Sequence, residues 1–128
     1  MKIHFSLNHL AIAVKNTDRS IEFYQKVLGL QEIPNTASSS KTRWLSLGEN
    51  KELHLIHRPD AEITITKAVH FALSTPDILE VAKQLRKLGI EFTDWNGVSN
   101  KIHRRDDGAQ QLYFQDIDGY WIEINNIG

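Results

Sequence analysis

The feature that most constrains this chain is an internal repeat with an offset of about sixty residues. Residues 7–33 contain the segment NHLAIAVKNTDRSIEFYQKVLGL, and a weaker copy, VHFALSTPDILEVAKQLRKLGIEF, occurs later in the chain. His9 aligns with His70, and Gly29 aligns with Gly89. A repeat of this length indicates two copies of one supersecondary unit that stack or pair in space.

The ends of the two halves align as well. The segment LHLIH at residues 53–57 matches IEINN at residues 122–126, so that His54 is equivalent to Glu123. Four side chains that can carry chemistry therefore occupy two equivalent positions in two equivalent units. They are His9, His54, His70 and Glu123.

Hydrophobic spacing predicts the same order of elements in both halves. An alternating strand comes first, a helix that ends at glycine follows, and three strands complete each half. We predict an α+β fold, a single domain of 128 residues made of two tandem βαβββ modules at residues 1–58 and 67–128. Two such modules can set their sheets side by side as a half-open, cup-shaped sheet with the helices outside.

In the second half, residues 90–95 are predicted to form a strand and residues 96–110 a long polar loop. The apolar positions at helical spacing predict the buried face of the preceding helix. They are Leu79, Ala82, Leu85 and Leu88.

Composition and charge exclude several classes of function. The net charge of −1 gives no electrostatic basis for binding nucleic acid. No apolar run approaches the roughly 20 residues that span a bilayer, and we find no signal peptide. The absence of cysteine excludes disulfides, zinc–thiolate sites and a cysteine nucleophile. We therefore predict a cytoplasmic protein whose partners are small molecules.

The four equivalent positions predict a metal centre. Each lies on a predicted strand, on the face opposite the leucines and valines. Two histidines and a carboxylate, with coordination positions left open, suit divalent Fe, Mn, Ni, Co or Zn. An open position admits a substrate oxygen. The alternative interpretation, scattered polar residues on a solvated sheet face, does not explain why both pairs coincide under the repeat.

Three short segments carry a further pattern beside the β-α-β-β-β repeat. They are NHLA at residues 8–11, RSIEFY at 19–24 and FQDIDGYWIE at 114–123. Together these features resemble the vicinal oxygen chelate superfamily over essentially the whole chain. That superfamily includes glyoxalase I, fosfomycin-modifying thiol transferases, extradiol dioxygenases and metal-free bleomycin-binding proteins.

The resemblance implies roles for particular residues. His9, His70 and Glu123 fall at its metal-ligand positions. His54 occupies the place that glyoxalase I fills with a glutamate that also moves the substrate proton, which makes it a fourth ligand or a general base. Tyr113 lies ten residues before Glu123, as a tyrosine does in extradiol dioxygenases. The resemblance therefore implies that Tyr113 and Glu123 are catalytic residues together with His54.

Other positions depart from the pattern of each relative. Ala13 replaces the arginine by which bacterial glyoxalase I holds glutathione, and Ala11 replaces the threonine of glutathione-type fosfomycin transferases. Ile117 replaces the proline that follows the aspartate in extradiol dioxygenases, and His103 only approximates their upstream histidine. The bleomycin-binding relatives generally lack the ligands that this chain keeps.

The resemblance thus implies a divalent-metal enzyme whose substrate chelates the ion through two adjacent oxygens. The first choice is a glyoxalase I-like lyase or isomerase, in which the metal stabilises an enediolate or similar oxyanion. An extradiol-type dioxygenase, a fosfomycin-type thiol transferase and a non-catalytic binding protein are the alternatives. A homodimer is predicted, because small modules leave sheet edges to be closed.

Several cationic or aromatic side chains are candidates to hold an anionic substrate. They are Arg43, Trp44, Lys101, His103, Arg104 and Arg105. The alternative interpretation of this group is a solvated surface.

Overall fold

The computed structural model describes residues 2–128, which divide into two compact units. Unit 1 ends at Ile63, and unit 2 runs from Thr64 to Gly128. The elements of unit 1 are β1 (His9–Val14), α1 (Thr17–Leu28), β2 (Glu32–Ile33), β3 (Arg43–Gly48) and β4 (Lys51–His57). The elements of unit 2 are β5 (His70–Ser74), α2 (Ile78–Lys87), β6 (His103–Arg104), β7 (Gln110–Gln115) and β8 (Trp121–Asn125).

Each unit holds an open four-stranded sheet within the described chain, and the two strand orders match. The orders are β1-β4-β3-β2 and β5-β8-β7-β6. The first strand of each unit runs parallel to the last, and the other neighbours are antiparallel. A parallel pair needs a crossover connection, and α1 and α2 lie on those connections. The predicted α+β fold with two βαβββ modules is confirmed, and the cup-shaped arrangement stays a prediction.

The strand register reproduces the alignment of the two halves. His54 pairs with Ala11 between β4 and β1, and Glu123 pairs with Ala72 between β8 and β5. Because side chains alternate along a strand, this register places His54 and Glu123 on equivalent faces of equivalent sheets.

The two helices are amphipathic and cover one face of their own sheets. The side chain of Asn16 caps α1 by accepting a hydrogen bond from the Arg19 N–H at 3.0 Å, and Gly29 ends the helix at φ 66°. The fully buried leucines of unit 1 are Leu45, Leu53 and Leu55.

Within residues 2–128, no helix is long and apolar enough to cross a membrane.

The predicted buried face of α2 is wrong at one position. Leu79 is 64% exposed, and Ile78 is buried together with Ala82 and Leu85. The helix begins at Ile78, so its first turn presents Ile78 rather than Leu79 to the core. A phase difference of one residue rotates a helical position by about 100°.

The region between α2 and β7 also differs from the prediction. Residues 90–95 do not form a regular strand, because only Thr93 pairs there, by isolated bridges to Ser99 and Tyr113. The predicted loop at 96–110 instead contains β6, which pairs with the start of β7. The polar composition of this region gives no signal for β6. This two-residue strand forms because it pairs with β7.

Candidate metal centre

In unit 2, the paired strands β5 and β8 bring a histidine next to a carboxylate. Nε2 of His70 lies 3.3 Å from Oε1 of Glu123, and the Glu123 residue is only 6% exposed. Two adjacent ligands that each lie about 2.1 Å from one divalent ion are separated by a distance of this size. We call His70 and Glu123 the unit 2 pair.

The tautomer of His70 follows from its second hydrogen bond. Nδ1 lies 2.8 Å from the backbone carbonyl oxygen of Lys67, and a carbonyl can only accept. The proton therefore sits on Nδ1, and the lone pair of a neutral ring is on Nε2, which faces Glu123. Histidines that bind metals ordinarily donate their other N–H to such an acceptor.

Three neutral donors surround the Glu123 carboxylate. Tyr113 Oη donates at 2.9 Å, Gln111 Nε2 at 3.1 Å and Asn125 Nδ2 at 2.7 Å. Burial on its own raises the pKa of the Glu123 carboxyl, but the hydrogen bonds from Asn125, Tyr113 and Gln111 outweigh it and hold the pKa below its ordinary value. The site therefore holds an ionised carboxylate, which is the form that binds a cation.

Tyr113 was predicted as a catalytic residue, and the structure gives it a definite contact. Burial raises the pKa of its phenol, and the hydrogen bond to the Glu123 carboxylate raises it further. The phenol therefore keeps its proton and acts as a donor to Glu123.

In unit 1, the equivalent positions are stacked instead of facing each other edge to edge. The ring centroids of His9 and His54 are 4.1 Å apart with planes 13° apart, and Trp44 stacks on His54 at 4.3 Å and 4°. Ring nitrogens hold their lone pairs in the ring plane, so parallel rings do not direct both lone pairs at one ion. We call His9 and His54 the unit 1 pair.

The two histidines of the unit 1 pair carry their protons on different nitrogens. Nδ1 of His9 lies 2.7 Å from Oδ1 of Asn8, which leaves Nε2 with the lone pair, as in His70. Nε2 of His54 lies 2.9 Å from Oε1 of Glu52, so a neutral His54 has its lone pair on Nδ1. His54 can therefore accept a proton or bind a metal through Nδ1.

Neither pair makes a metal site by itself. Across residues 2–128, no group of three or more His, Asp or Glu side chains lies together in a way that could hold an ion. Each unit supplies two of the four predicted positions. The donor types, the 3.3 Å separation in unit 2 and the Nδ1 acceptors of His9 and His70 all fit ligation of a divalent metal.

The structure separates the substrate candidates Arg43 and Trp44. They are neighbours on β3 and therefore point to opposite faces of the sheet. Trp44 stacks on His54, whereas Arg43 makes two 2.8 Å contacts with the carboxylate of Glu32 and a further contact with Asp18. The guanidinium of Arg43 is thus committed to two acidic partners, and Trp44 alone of the two adjoins the unit 1 pair.

The other substrate candidates lie on or near the β6–β7 hairpin. His103 and Arg105 line an open cavity of about 560 Å³ together with Asp106 and Asp107. Arg105 donates to Asp107 at 2.7 Å, and Arg104 is exposed.

Lys101 Nζ lies 3.6 Å from the buried carboxylate of Asp94. All six substrate candidates remain predictions: Arg43, Trp44, Lys101, His103, Arg104 and Arg105.

Sequence reasoning missed the residues that hold the ligands in place. Gln111 shares a face of β7 with Tyr113, and Asn125 shares a face of β8 with Glu123, so two-residue alternation could have identified both. The role of the Lys67 carbonyl could not be predicted from the sequence. Its position depends on the turn in which Val69 N–H donates to the Thr66 carbonyl at 3.0 Å.

Comparison with known proteins determines the family. Residues 6–124 match the family model described as the Glyoxalase/Bleomycin resistance protein/Dioxygenase superfamily. The chain belongs to this superfamily. The match confirms the family that the sequence segments and the repeat indicated.

Individual members of the superfamily are only moderately similar. The protein named Glyoxylase I 4 from Arabidopsis thaliana is 31% identical over 128 residues, which cover 94% of this chain and 70% of the relative. Metallothiol transferase FosB from Staphylococcus haemolyticus is 26% identical over 124 residues, 93% of this chain and 81% of the relative.

Among solved structures, Oxidase ChaP-H2 has a TM-score of 0.80 at 22% identity and covers 98% of this chain and 96% of its own. Similarity at that identity shows the fold alone.

Proposed function

We propose that this protein is a divalent-metal-dependent enzyme that acts on a small molecule with two adjacent oxygens, by a glyoxalase I-like lyase or isomerase reaction. The observation that carries the proposal is the unit 2 pair. The ionised carboxylate of Glu123 faces Nε2 of His70, and Nδ1 of the same ring is hydrogen-bonded to the carbonyl oxygen of Lys67. A bound ion would polarise the substrate oxygens and stabilise negative charge on them.

The proposed ligands are His9, His70 and Glu123. Of the two roles predicted for His54, fourth ligand or base, the stacked rings favour the base, because parallel rings do not direct both lone pairs at one ion. Glu52 accepts a hydrogen bond from Nε2 of His54, so the lone pair of a neutral ring lies on Nδ1. The free Nδ1 could then remove a proton from carbon and return it. We also propose a cytoplasmic location and a homodimer.

Metal analysis tests the first part of the proposal. The protein is purified without chelator, exposed to Fe, Ni, Mn or Zn, and analysed by mass spectrometry beside Glu123→Ala and His70→Ala. We expect about one ion per chain in the wild type and none in either variant. Retention of the ion by both variants would refute the ligand set.

Proton transfer tests the reaction class. An isomerase that uses His54 as base exchanges the carbon-bound hydrogen of its substrate with solvent deuterium, and His54→Ala should lose that exchange while it keeps the metal. Wild type that carries the ion but transfers no proton from vicinal hydroxycarbonyl substrates would contradict the isomerase class.

A shared site can be distinguished from a site within one chain by mixing two inactive variants. His9→Ala lacks only its unit 1 ligand, and Glu123→Ala lacks only its unit 2 ligand. If a dimer shares its sites, random mixing of equal amounts restores about a quarter of the metal sites, because half of the dimers are mixed and each has one intact site. If each site belongs to one chain, mixing restores none.

An extradiol-type dioxygenase is the second candidate. The hydrogen bond from Tyr113 to Glu123 at 2.9 Å favours it, because the tyrosine ten residues before the carboxylate is the feature that this group shares with the chain. Oxygen uptake that requires Fe(II) and a catechol would establish this reaction in place of the isomerase.

A further inference from the structure

The side chain of Lys67 lies among three aromatic rings of unit 2. Its Nζ is 5.6 Å from the ring centroid of Trp95, 5.0 Å from that of Tyr113 and 4.8 Å from that of Trp121. All three distances fall within the roughly 6 Å over which a cation is attracted to an aromatic ring. The ammonium is therefore held against the rings instead of extending into solvent.

The protons of this ammonium are all used inside unit 2. Nζ donates to Thr93 Oγ1 at 3.0 Å, to the Asp94 carbonyl at 2.6 Å and to the Trp95 carbonyl at 3.0 Å. An ammonium has three donors and no acceptor, so these contacts account for its full capacity. Lys67 is thereby occupied with holding the segment 93–95, and a substrate anion would have to displace one of these bonds.

Lys67 is also linked to both members of the unit 2 pair, directly to His70 and through Thr93 and Tyr113 to Glu123. Its backbone carbonyl accepts the Nδ1–H of His70 at 2.8 Å. Its ammonium binds Thr93, whose backbone exchanges hydrogen bonds of 2.8 and 2.9 Å with Tyr113, and Tyr113 in turn donates to Glu123. One lysine therefore connects the turn before β5 to the strand that supports the carboxylate.

We propose that Lys67 is a positioning residue for the metal centre. By anchoring its own turn to residues 93–95, it keeps its carbonyl where His70 must donate from Nδ1 and present Nε2 to Glu123. The claim that Lys67 supports metal binding rests on the proposed function. The claim that Lys67 determines which nitrogen of His70 is protonated concerns the protein without metal. Unit 1 has Ser6 at the equivalent place, and there His9 donates to the side chain of Asn8.

The test compares Lys67→Met with Lys83→Met, a matched change on the exposed side of α2. Nitrogen-15 NMR of the imidazoles in metal-free protein reports which ring nitrogen of His70 carries the proton. We expect Nδ1 of His70 to carry a proton in the wild type and in Lys83→Met, whether or not Nε2 also carries one toward the Glu123 carboxylate. In Lys67→Met, we expect part of the molecules to lose the proton from Nδ1 and keep one on Nε2.

Calorimetric titration with Co(II) supplies the second readout. Loss of a residue that supports a ligand typically weakens metal binding about ten- to a hundredfold, and we expect a loss in that range for Lys67→Met and none for Lys83→Met. A folded Lys67→Met with an unchanged His70 tautomer and unchanged cobalt affinity would overturn the proposal.

Thr93→Val keeps the test available if Lys67→Met does not fold. It removes one acceptor of the ammonium, so the same changes are expected at smaller size, and their complete absence would also overturn the proposal. A wild type that binds no cobalt, with a His70 tautomer that depends on Lys67, would refute the metal function but support the positioning role.

Discussion

The unit 1 pair and the unit 2 pair occupy the same strand positions in two copies of one fold, yet their surroundings differ. In unit 2, the carboxylate of Glu123 is buried among hydrogen-bond donors, and His70 is held by a backbone carbonyl. In unit 1, His54 is part of a stack of rings, and His9 is exposed and held by the side chain next to it. Strand register thus repeats the positions, while the neighbouring residues give each pair its chemistry.

The tyrosine and the tryptophan that face the two pairs account for much of this difference. Tyr113 pairs with Glu123 between β7 and β8, and Trp44 pairs with His54 between β3 and β4. A phenol donates a hydrogen bond to a carboxylate, whereas the indole of Trp44 offers His54 a flat face. The facing residue in unit 2 therefore stabilises the negative charge of Glu123, and the facing residue in unit 1 packs against the ring of His54.

The largest expected effect concerns the stability of metal-free protein. Glu123→Ala leaves three donors without their acceptor and should lower the free energy of unfolding by about 3 kcal/mol. His54→Ala removes ring contacts with Trp44 and His9 and should cost about 1 kcal/mol. Urea unfolding at neutral pH measures both. Equal losses would show that the two pairs do not differ as their surroundings suggest.

A smaller effect is expected when the facing aromatic residues are changed. Tyr113→Phe keeps the ring but removes the donor to Glu123, so Co(II) affinity should fall about tenfold. Trp44→Phe keeps a stacking face for His54 and should leave the affinity unchanged. Calorimetric titration of both variants measures the difference. A larger loss for Trp44→Phe would reverse the assignment of roles to the two units.

The smallest effect concerns Arg43, which lies on the sheet face opposite Trp44. Arg43→Gln breaks the contacts with Glu32 and Asp18 and should lower the free energy of unfolding at pH 7 by less than about 1 kcal/mol, because the residues are partly exposed. Cobalt affinity should not change. If the affinity for a substrate anion falls instead, Arg43 is a substrate residue after all.

The pH dependence of that effect has a definite sign. The hydrogen bond from Arg43 holds the pKa of the Glu32 carboxyl below its ordinary value. A lowered pKa contributes stability above the unfolded value, about 4.3, and loses it as the pH falls through the folded value. The stability difference between wild type and Arg43→Gln should therefore shrink in acid, as unfolding curves between neutral and acidic pH would show. A difference that grows in acid would contradict this ion pair.

The sequence could predict the fold because the repeat and the strand alternation are local patterns. His54 and Glu123 were aligned by sequence alone, and the strand register places them equivalently. The buried face of α2 was wrong at one position and the strand β6 was missed, because a helix phase and a two-residue pairing depend on neighbours that local pattern does not contain. Leu79 in α2 and His103 in β6 are the residues at which these misses are clearest.

For the candidate site, residue identity was predictable but atomic role was not. The sequence placed a histidine at position 54, but its proton position follows from Glu52, and its orientation follows from Trp44. Similarly, the lone-pair nitrogen of His70 is determined by a backbone carbonyl, which has no sequence signal. Tautomer and ring orientation are properties of neighbours brought together by folding, so they require the structure.

The ring stack of unit 1 has an optical consequence. Trp44 is the tryptophan of unit 1, while Trp95 and Trp121 belong to unit 2. An indole in face-to-face contact with an imidazole has an excited state that responds to the charge and position of that imidazole. In a background where the other two tryptophans are replaced, the light emitted by Trp44 would report the state of His54 from inside the protein, with no attached label.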